Sequence, residues 1–239
     1  MRDSLNLLEG YADVLFEDRH LVILNKYSGI PVIPQRHRTS GDVVSLRERL
    51  EQITGEKIFV VHRIDRDTSG CIVFCRTARV HRMISMQFER RIVKKEYLVM
   101  VQGTMAGSDT IDVPLRQFGS GRMGISNDGK PSRTEISVLE QLPGATLLKA
   151  RPLTGRRHQI RVHLYHRGNP VLGDRLYGTN RPVGGCERMM LHAASISFYY
   201  PEGQLFTITA PVDFQWKTIE NNFRQPEFIG RSGNGTGAR

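Results

Sequence analysis

Short apolar runs alternate with polar turns along most of the chain. Residues 11–25 split into two strand-like runs around Glu17-Asp18-Arg19-His20, a hairpin signal. Residues 43–52 predict a short amphipathic helix, with Asp42 placed to cap it. Residues 58–61 are apolar, a charged stretch follows, and residues 71–74 are apolar and β-prone, so the charged stretch is predicted to be a loop between two strands. Residues 78–90 fit a helix with Met83, Met86 and Phe88 among its apolar positions. Further strands are predicted at 96–102, 110–115, 134–139, 145–149, 189–198 and 205–209. Residues 156–167 fit a helix that Thr154 can cap and Gly168 can stop. Strands outnumber helices, and many connections between them are too short for a helical crossover. That implies an α+β fold with a mixed, mostly antiparallel sheet. Residues 35–42 read as an exposed loop, and residues 230–239 as a Gly/Ser-rich disordered segment. One domain over 1–223 and a disordered tail over 224–239 are expected.

Composition narrows the partner. Hydrophobic residues make up 39% of the 239, enough for a packed core. The 34 Lys+Arg against 24 Asp+Glu leave a formal charge of +10, which points to an anionic partner, nucleic acid or a membrane surface. No window approaches the ~18 apolar residues of a membrane span. The first residues, Met1-Arg2-Asp3-Ser4-Leu5-Asn6, lack a basic region followed by an apolar run. A soluble, cytoplasmic protein is expected. Cys71 and Cys75 are four apart in a strand-like run and should share a face; with Cys186 they read as thiols of a reducing compartment.

Three segments could carry chemistry. In His62-Arg63-Ile64-Asp65-Arg66-Asp67-Thr68-Ser69-Gly70, basic or potentially basic groups surround two carboxylates. Arg63 and Arg66 favour an ionised Asp65, able to act as nucleophile, base or metal ligand. Taken alone, the run fits a surface turn stitched by ion pairs better than a catalytic loop. Between Glu140 and Asp174 there is no acidic residue, but Lys149, Arg151, Arg156, Arg157, Arg161 and Arg167 occur with His158, His163 and His166. Arg157 and Arg161, four apart, would share one helical face and contact phosphates. In Arg90-Arg91-Ile92-Val93-Lys94-Lys95-Glu96-Tyr97 a basic helix end runs into a strand that carries a tyrosine. Cations beside an aromatic suit flipped or single-stranded bases, although Tyr97 also fits a core position. A metal site on His62, Asp65 and Asp67 lacks a second cluster of comparable density. No Walker loop or dinucleotide fingerprint occurs.

Taken together, these segments resemble the RluA family of RNA pseudouridine synthases, in the form without an N-terminal S4-type domain. The resemblance rests on the Asp65 run, on Lys94-Lys95-Glu96-Tyr97, and on Thr154-Gly155-Arg156-Arg157-His158-Gln159-Ile160-Arg161-Val162-His163. Lesser matches are Asn25-Lys26, Ser28-Gly29, Gly173-Asp174 with Tyr177-Gly178, and Leu191-His192-Ala193. Tyr27 departs from the family's usual proline, Ile64 from leucine and Arg157 from a small or polar residue.

The resemblance implies isomerisation of uridine to pseudouridine in RNA, without metal or cofactor. It implies a sheet with flanking helices and a central RNA-binding cleft. Asp65 would be the catalytic aspartate, Tyr97 the tyrosine against the target base, and Arg161 the counter-ion of the aspartate. Arg63 would fill the gap left by the flipped uridine. Arg66, Lys94, Lys95, Arg156, Arg157 and His158 are expected to contact the RNA. The expected partner is a ribosomal or transfer RNA stem-loop, read by residues 35–42 and 118–133; neither DNA nor a membrane is expected, and a monomer is.

Overall fold

The computed structural model describes residues 8–35, 39, 41–119, 121–178, 186–201 and 203–225. These gather into two compact units, Met1–Glu96 with His192–Pro211, and Tyr97–Leu191 with Val212–Arg239. Twelve strands and four helices occur among the described residues. Of the nine strand pairs whose direction is described, eight are antiparallel and one is parallel, so the expected α+β class with a mixed, mostly antiparallel sheet holds.

In the first unit, β1 (Ala12–Glu17) and β2 (Leu21–Lys26) form the expected hairpin. Its turn is fastened by Asp18, whose Oδ1 accepts the N–H groups of His20 and Leu21, each at 2.7 Å. Every residue of β2 and of β4 (Ser69–Cys75) is buried, as near-continuous apolar runs require when both faces of a strand are covered. The two pair antiparallel from Leu21↔Cys75 to Lys26↔Gly70. The short β3 (Phe59–Val60) pairs with β4. So does β11 (Leu191–Tyr199), in parallel at His192↔Ser69 and Ala193↔Gly70, and β12 (Leu205–Thr209) pairs with β11. Cys71, Val73 and Cys75 lie in one core cluster with Ile23, Ile84 and Phe198, so the two cysteines do share a face. Burial pushes both thiols up to about 12.

Helix α1 (Leu46–Thr54) begins later than the pattern suggested. Its cap is Ser45, which forms a reciprocal capping box with Glu48; Asp42 instead accepts the N–H of Thr39 at 2.7 Å. Helix α2 (Ala78–Glu89) is capped by Thr77.

The second unit holds most of β5 (Lys94–Gln102), together with β9 (Arg133–Leu142), β10 (Ala145–Pro152) and β6 (Ser108–Asp112). β10 pairs with β5 and β9, and β6 with β9. The strand expected over 110–115 breaks after Asp112, where Pro114 has no N–H for a ladder. The chain resumes as a second hairpin, β7 (Leu115–Gln117) with β8 (Met123–Ile125), the latter within residues 118–133, where no strand was expected. Helix α3 (Gln159–His166) packs Ile160 and Leu164 into a cluster with Val99, Val101 and Leu148. Helix α4 (Phe214–Arg224), which the pattern did not disclose, buries Trp216 and Phe223 beside Met100 and Leu147. Residues 230–239 lie outside the described residues, as do Arg36, His37, Arg38 and Ser40 of the loop expected over 35–42. Among the described residues no helix is long and apolar enough to cross a membrane.

Candidate functional site

The Asp65 loop is held from beneath by a buried lysine. Lys26 is fully buried, and its Nζ donates to the carbonyls of Arg66 at 2.7 Å, Ile30 at 2.8 Å and Tyr27 at 2.9 Å. Arg66 and Gly29 exchange two further bonds: the Gly29 N–H donates to the Arg66 carbonyl at 3.0 Å, and Arg66 Nε to the Gly29 carbonyl at 2.9 Å. Ser28 Oγ donates to the Asp67 carbonyl at 2.7 Å, and the Thr68 N–H to the Asp65 carbonyl at 3.2 Å. Segment 25–29 is thus the clamp of segment 65–68. Within the loop Ile64 is buried, Asp65 is half-buried, and Arg63, Arg66 and Asp67 are exposed.

The end of the run has its own reasons. Ser69 Oγ lies 2.8 Å from His192 Nδ1, and His192 Nε2 lies 3.0 Å from the Ala210 carbonyl. Because that carbonyl can only accept, the imidazole carries its proton on Nε2 and takes the serine hydroxyl on Nδ1. Gly70 has φ +109°, and a Cβ there would sit 2.3 Å from the Ala193 carbonyl oxygen, so only glycine lets β4 reach β11 in parallel. His62, counted from sequence among the potentially basic groups, is neutral. Its Nε2 accepts the Val73 N–H at 3.0 Å and its ring stacks on Phe88 at 5.0 Å. Burial first, and the Lys95 cation second, push it down to about 3. The Val73 donor closes His62 Nε2 to a metal ion. Lys95 is half-buried, and burial holds its ammonium below the usual range, whereas Lys94 is exposed.

In the second unit the buried guanidinium of Arg161 grips Asp174, Nε to Oδ2 at 2.6 Å and NH2 to Oδ1 at 2.8 Å. Asp174 Oδ1 also accepts the N–H groups of Leu176 at 2.9 Å and Tyr177 at 3.0 Å. Burial would raise this carboxyl, but the Arg161 bonds and the backbone donors outweigh it and hold it low. The acid-free interval ends at Asp174, which is where its central arginine finds an anion. Arg161 lies 5.1 Å from the Tyr177 ring centroid, and Arg122 lies 5.1 Å from the same centroid.

The expected common face of Arg157 and Arg161 is not present. His158 adopts φ 54°, so α3 starts only at Gln159; Arg157 is exposed in the preceding turn while Arg161 is buried. Thr154 does not cap α3 directly. It donates to Gln159 Oε1 at 2.7 Å, and that oxygen accepts the Arg156 N–H at 3.0 Å. His158 Nδ1 lies 2.9 Å from the Tyr177 hydroxyl. His163 is fully buried between Thr134 Oγ1 at 2.9 Å and the Val113 carbonyl at 3.3 Å, and burial pushes it down to about 4. Arg167 pairs with Asp109. Tyr97 is half-buried, pairs with Ala150, and packs against the cluster that holds Ile160.

Asp65, Arg63, Arg66, Lys94 and Lys95 therefore belong to the first unit; Tyr97, Arg156, Arg157, His158 and Arg161 belong to the second. Lys26, Asp174 and Tyr177 organise these residues, and sequence reasoning gave none of them a role. Their only signal was membership in the lesser motif matches.

The profile of the RNA pseudouridylate synthase family matches residues 20–166. The ribosomal large subunit pseudouridine synthase C of Haemophilus ducreyi is 40% identical over 220 residues, 86% of this chain and 67% of the relative. The protein of the same name from Yersinia pestis is 38% identical over 226 residues, 89% and 69% of the two chains. Among solved structures, human RNA pseudouridylate synthase domain containing 1 superposes with a TM-score of 0.74 at 24% identity, covering 95% of this chain and 96% of that one, a likeness of fold.

Proposed function

This chain belongs to the RNA pseudouridylate synthase family, and on that footing we propose that Asp65 carries the isomerisation of a uridine in large-subunit ribosomal RNA. The observation behind the residue assignment is the Asp65 loop itself. A half-buried carboxylate is presented between exposed Arg63 and Arg66 by a loop that buried Lys26 ties, through the Arg66 carbonyl, to those of Tyr27 and Ile30. The RNA assignment rests on relatives named as large-subunit enzymes at 37–40% identity.

The reaction breaks N1–C1′, turns the uracil, joins C5 to C1′, releases the C5 proton to solvent and returns one proton to N1. A uridine within folded RNA is out of reach until it is flipped from the stack. In this reading Arg63 fills the vacated place, and Asp65 acts on the flipped nucleoside as an ionised carboxylate. Tyr97 lies against the uracil, and Arg161, aligned by Asp174, stabilises the negative charge of Asp65. Arg66, Lys94, Arg156 and Arg157 supply phosphate contacts, so binding should weaken steeply with salt. Lys95 and His158 are assigned the RNA's edge near the loop and near α3.

Carbodiimide mapping of pseudouridine in total RNA, with and without the gene, tests the assignment. Loss of one or more pseudouridines from large-subunit ribosomal RNA supports it. An unchanged ribosomal pattern with a loss confined to transfer RNA would overturn the ribosomal assignment.

A further inference from the structure

Within the second unit, hairpin β7–β8 and helix α3 line a cavity of about 420 Å3, inside the roughly 300–1,000 Å3 span of pockets that take small organic ligands. Phe118 and Ile125 contribute from the hairpin side, Val162 and Tyr165 from the helix, and Tyr177 closes it. Phe118 is 40% exposed and Tyr165 50%, so two aromatic rings beside this cavity stay open to solvent. Cations lie over the same rings. Arg122 is 5.1 Å from the Tyr177 centroid and 6.0 Å from that of Tyr165, and Arg116 is 4.8 Å from that of Phe118. No lining residue is acidic; Asp174, bonded to the Tyr177 N–H, is paired with Arg161, and Asp128 is paired with Arg116.

The hairpin is shaped for this. Gly121, at φ +76°, donates its N–H to the Phe118 carbonyl at 2.8 Å and turns the chain. A Cβ on Gly124 would lie 2.8 Å from the Phe118 ring edge, so the ring rests in the space that a missing side chain leaves. An apolar cleft with open rings and cations beside them suits a flat π-system that carries negative charge. A nucleobase with its phosphate meets that description: the face stacks on the rings, and arginines meet the phosphate.

We propose that this cavity is a subsite for one unpaired nucleobase of the RNA substrate, stacked on Tyr165 and Phe118, with Arg122 and Arg116 on its phosphate. The proposal rests on the reading that the chain acts on RNA. Because Tyr177 also packs on Arg161, a base seated here bears on the residue that supports that arginine.

A uridine-free oligoadenylate carrying one 2-aminopurine tests the subsite apart from the reaction, since it holds no target. The full chain and its Asp65→Asn variant should both bind it and quench its fluorescence. Tyr165→Leu and Phe118→Leu should abolish the quenching and weaken binding by roughly 5- to 100-fold, the range of a lost base–aromatic stack. Gly124→Val, which displaces the Phe118 ring, should act in the same direction. Arg122→Gln should keep the quenching and lower the salt slope by about one phosphate contact. Unchanged melting temperatures would show that these exposed positions leave the fold intact. Quenching that survives both ring variants, or no quenching by the full chain, overturns the subsite. Self-association lost on Tyr165→Leu without any effect on fluorescence would also overturn it, in favour of a second copy as occupant. Failure of the reading of activity would show elsewhere, as absence of tritium release from C5-labelled RNA by the unmodified enzyme.

Discussion

Replacing Asp174 by asparagine should strip Arg161 of the carboxylate that aligns it while leaving the shape of the site almost unchanged. The two side chains are 3% and 6% exposed, and their bonds measure 2.6 and 2.8 Å. Asparagine can still accept the N–H groups of Leu176 and Tyr177 through its oxygen. Its amide nitrogen then faces Arg161 Nε, donor against donor. Removing one partner of a buried pair costs about 3–5 kcal/mol, because a charge is left without its counter-ion in a weakly screening interior. The one charge-assisted bond lost, Arg161 Nε to Oδ2, accounts for about 1.5–3 kcal/mol of this. With a urea slope of about 2 kcal/mol per molar, the unfolding midpoint should fall by about 1.5–2.5 M. The double variant Arg161→Met with Asp174→Leu should recover part of that loss, since an apolar pair leaves no stranded charge. Under the proposed mechanism, Asp174→Asn also lowers kcat in tritium release with little change in KM, because Arg161 is misaligned rather than removed. A midpoint shift below about 0.5 M at unchanged slope, where about 3–5 kcal/mol was due, would refute the reasoning.

Other outcomes follow from buried groups. Lys26→Met withdraws the donor from three carbonyls at once; at about 1–3 kcal/mol for each unsatisfied group, urea unfolding should show a loss of at least about 3 kcal/mol. A loss under about 1 kcal/mol would mean that the loop is held otherwise. His163 is neutral in the fold, at about 4 against 6.5 when free, so the unfolded chain binds the extra proton first as pH falls. Its contribution is fully present above pH 6.5 and drains away as pH drops towards 4, up to about 3 kcal/mol by linkage. Urea stability measured across that window should fall less steeply for His163→Gln than for the unmodified chain. Burial also raises the thiols of Cys71 and Cys75 to about 12 and that of Cys186 to about 11. Ellman's reagent at pH 8 should therefore label them only on unfolding, and rapid labelling of the native protein would contradict their burial.

Most of the fold was legible because burial in this chain follows simple periods. The β1–β2 hairpin, β12 and α2 lie where the pattern put them. The start of α1 was misplaced by assigning its cap to Asp42, while Ser45 with Glu48 three positions later carries the capping-box signature. Pro114 likewise marked the break between β6 and β7, but an apolar pattern that continues through it masked the signal. Helix α4 was missed because its burial rests on Trp216 and Phe223, seven apart, which gives little periodicity to read.

The candidate residues were legible as types but not as environments. Nothing in the order of residues tells that His62 accepts the Val73 N–H and is neutral. Nor does it tell that the arginine-rich stretch has its anion at Asp174, 13 positions after Arg161. His158 took a left-handed conformation that a helical wheel cannot anticipate, and this separated Arg157 from Arg161. Lys26 entered only through a lesser motif match, yet it is the buried support of the loop that carries Asp65.

The most direct test of the central claim is tritium release from RNA labelled at uridine C5 by the Asp65→Asn and Asp65→Ala variants, measured beside their RNA affinity. Asp65 is half-buried in a loop rather than in a strand or helix, so both variants should fold and bind RNA. The account predicts no release from either variant at any enzyme concentration that gives full conversion with the unmodified chain. Release at the unmodified rate by either one would contradict it.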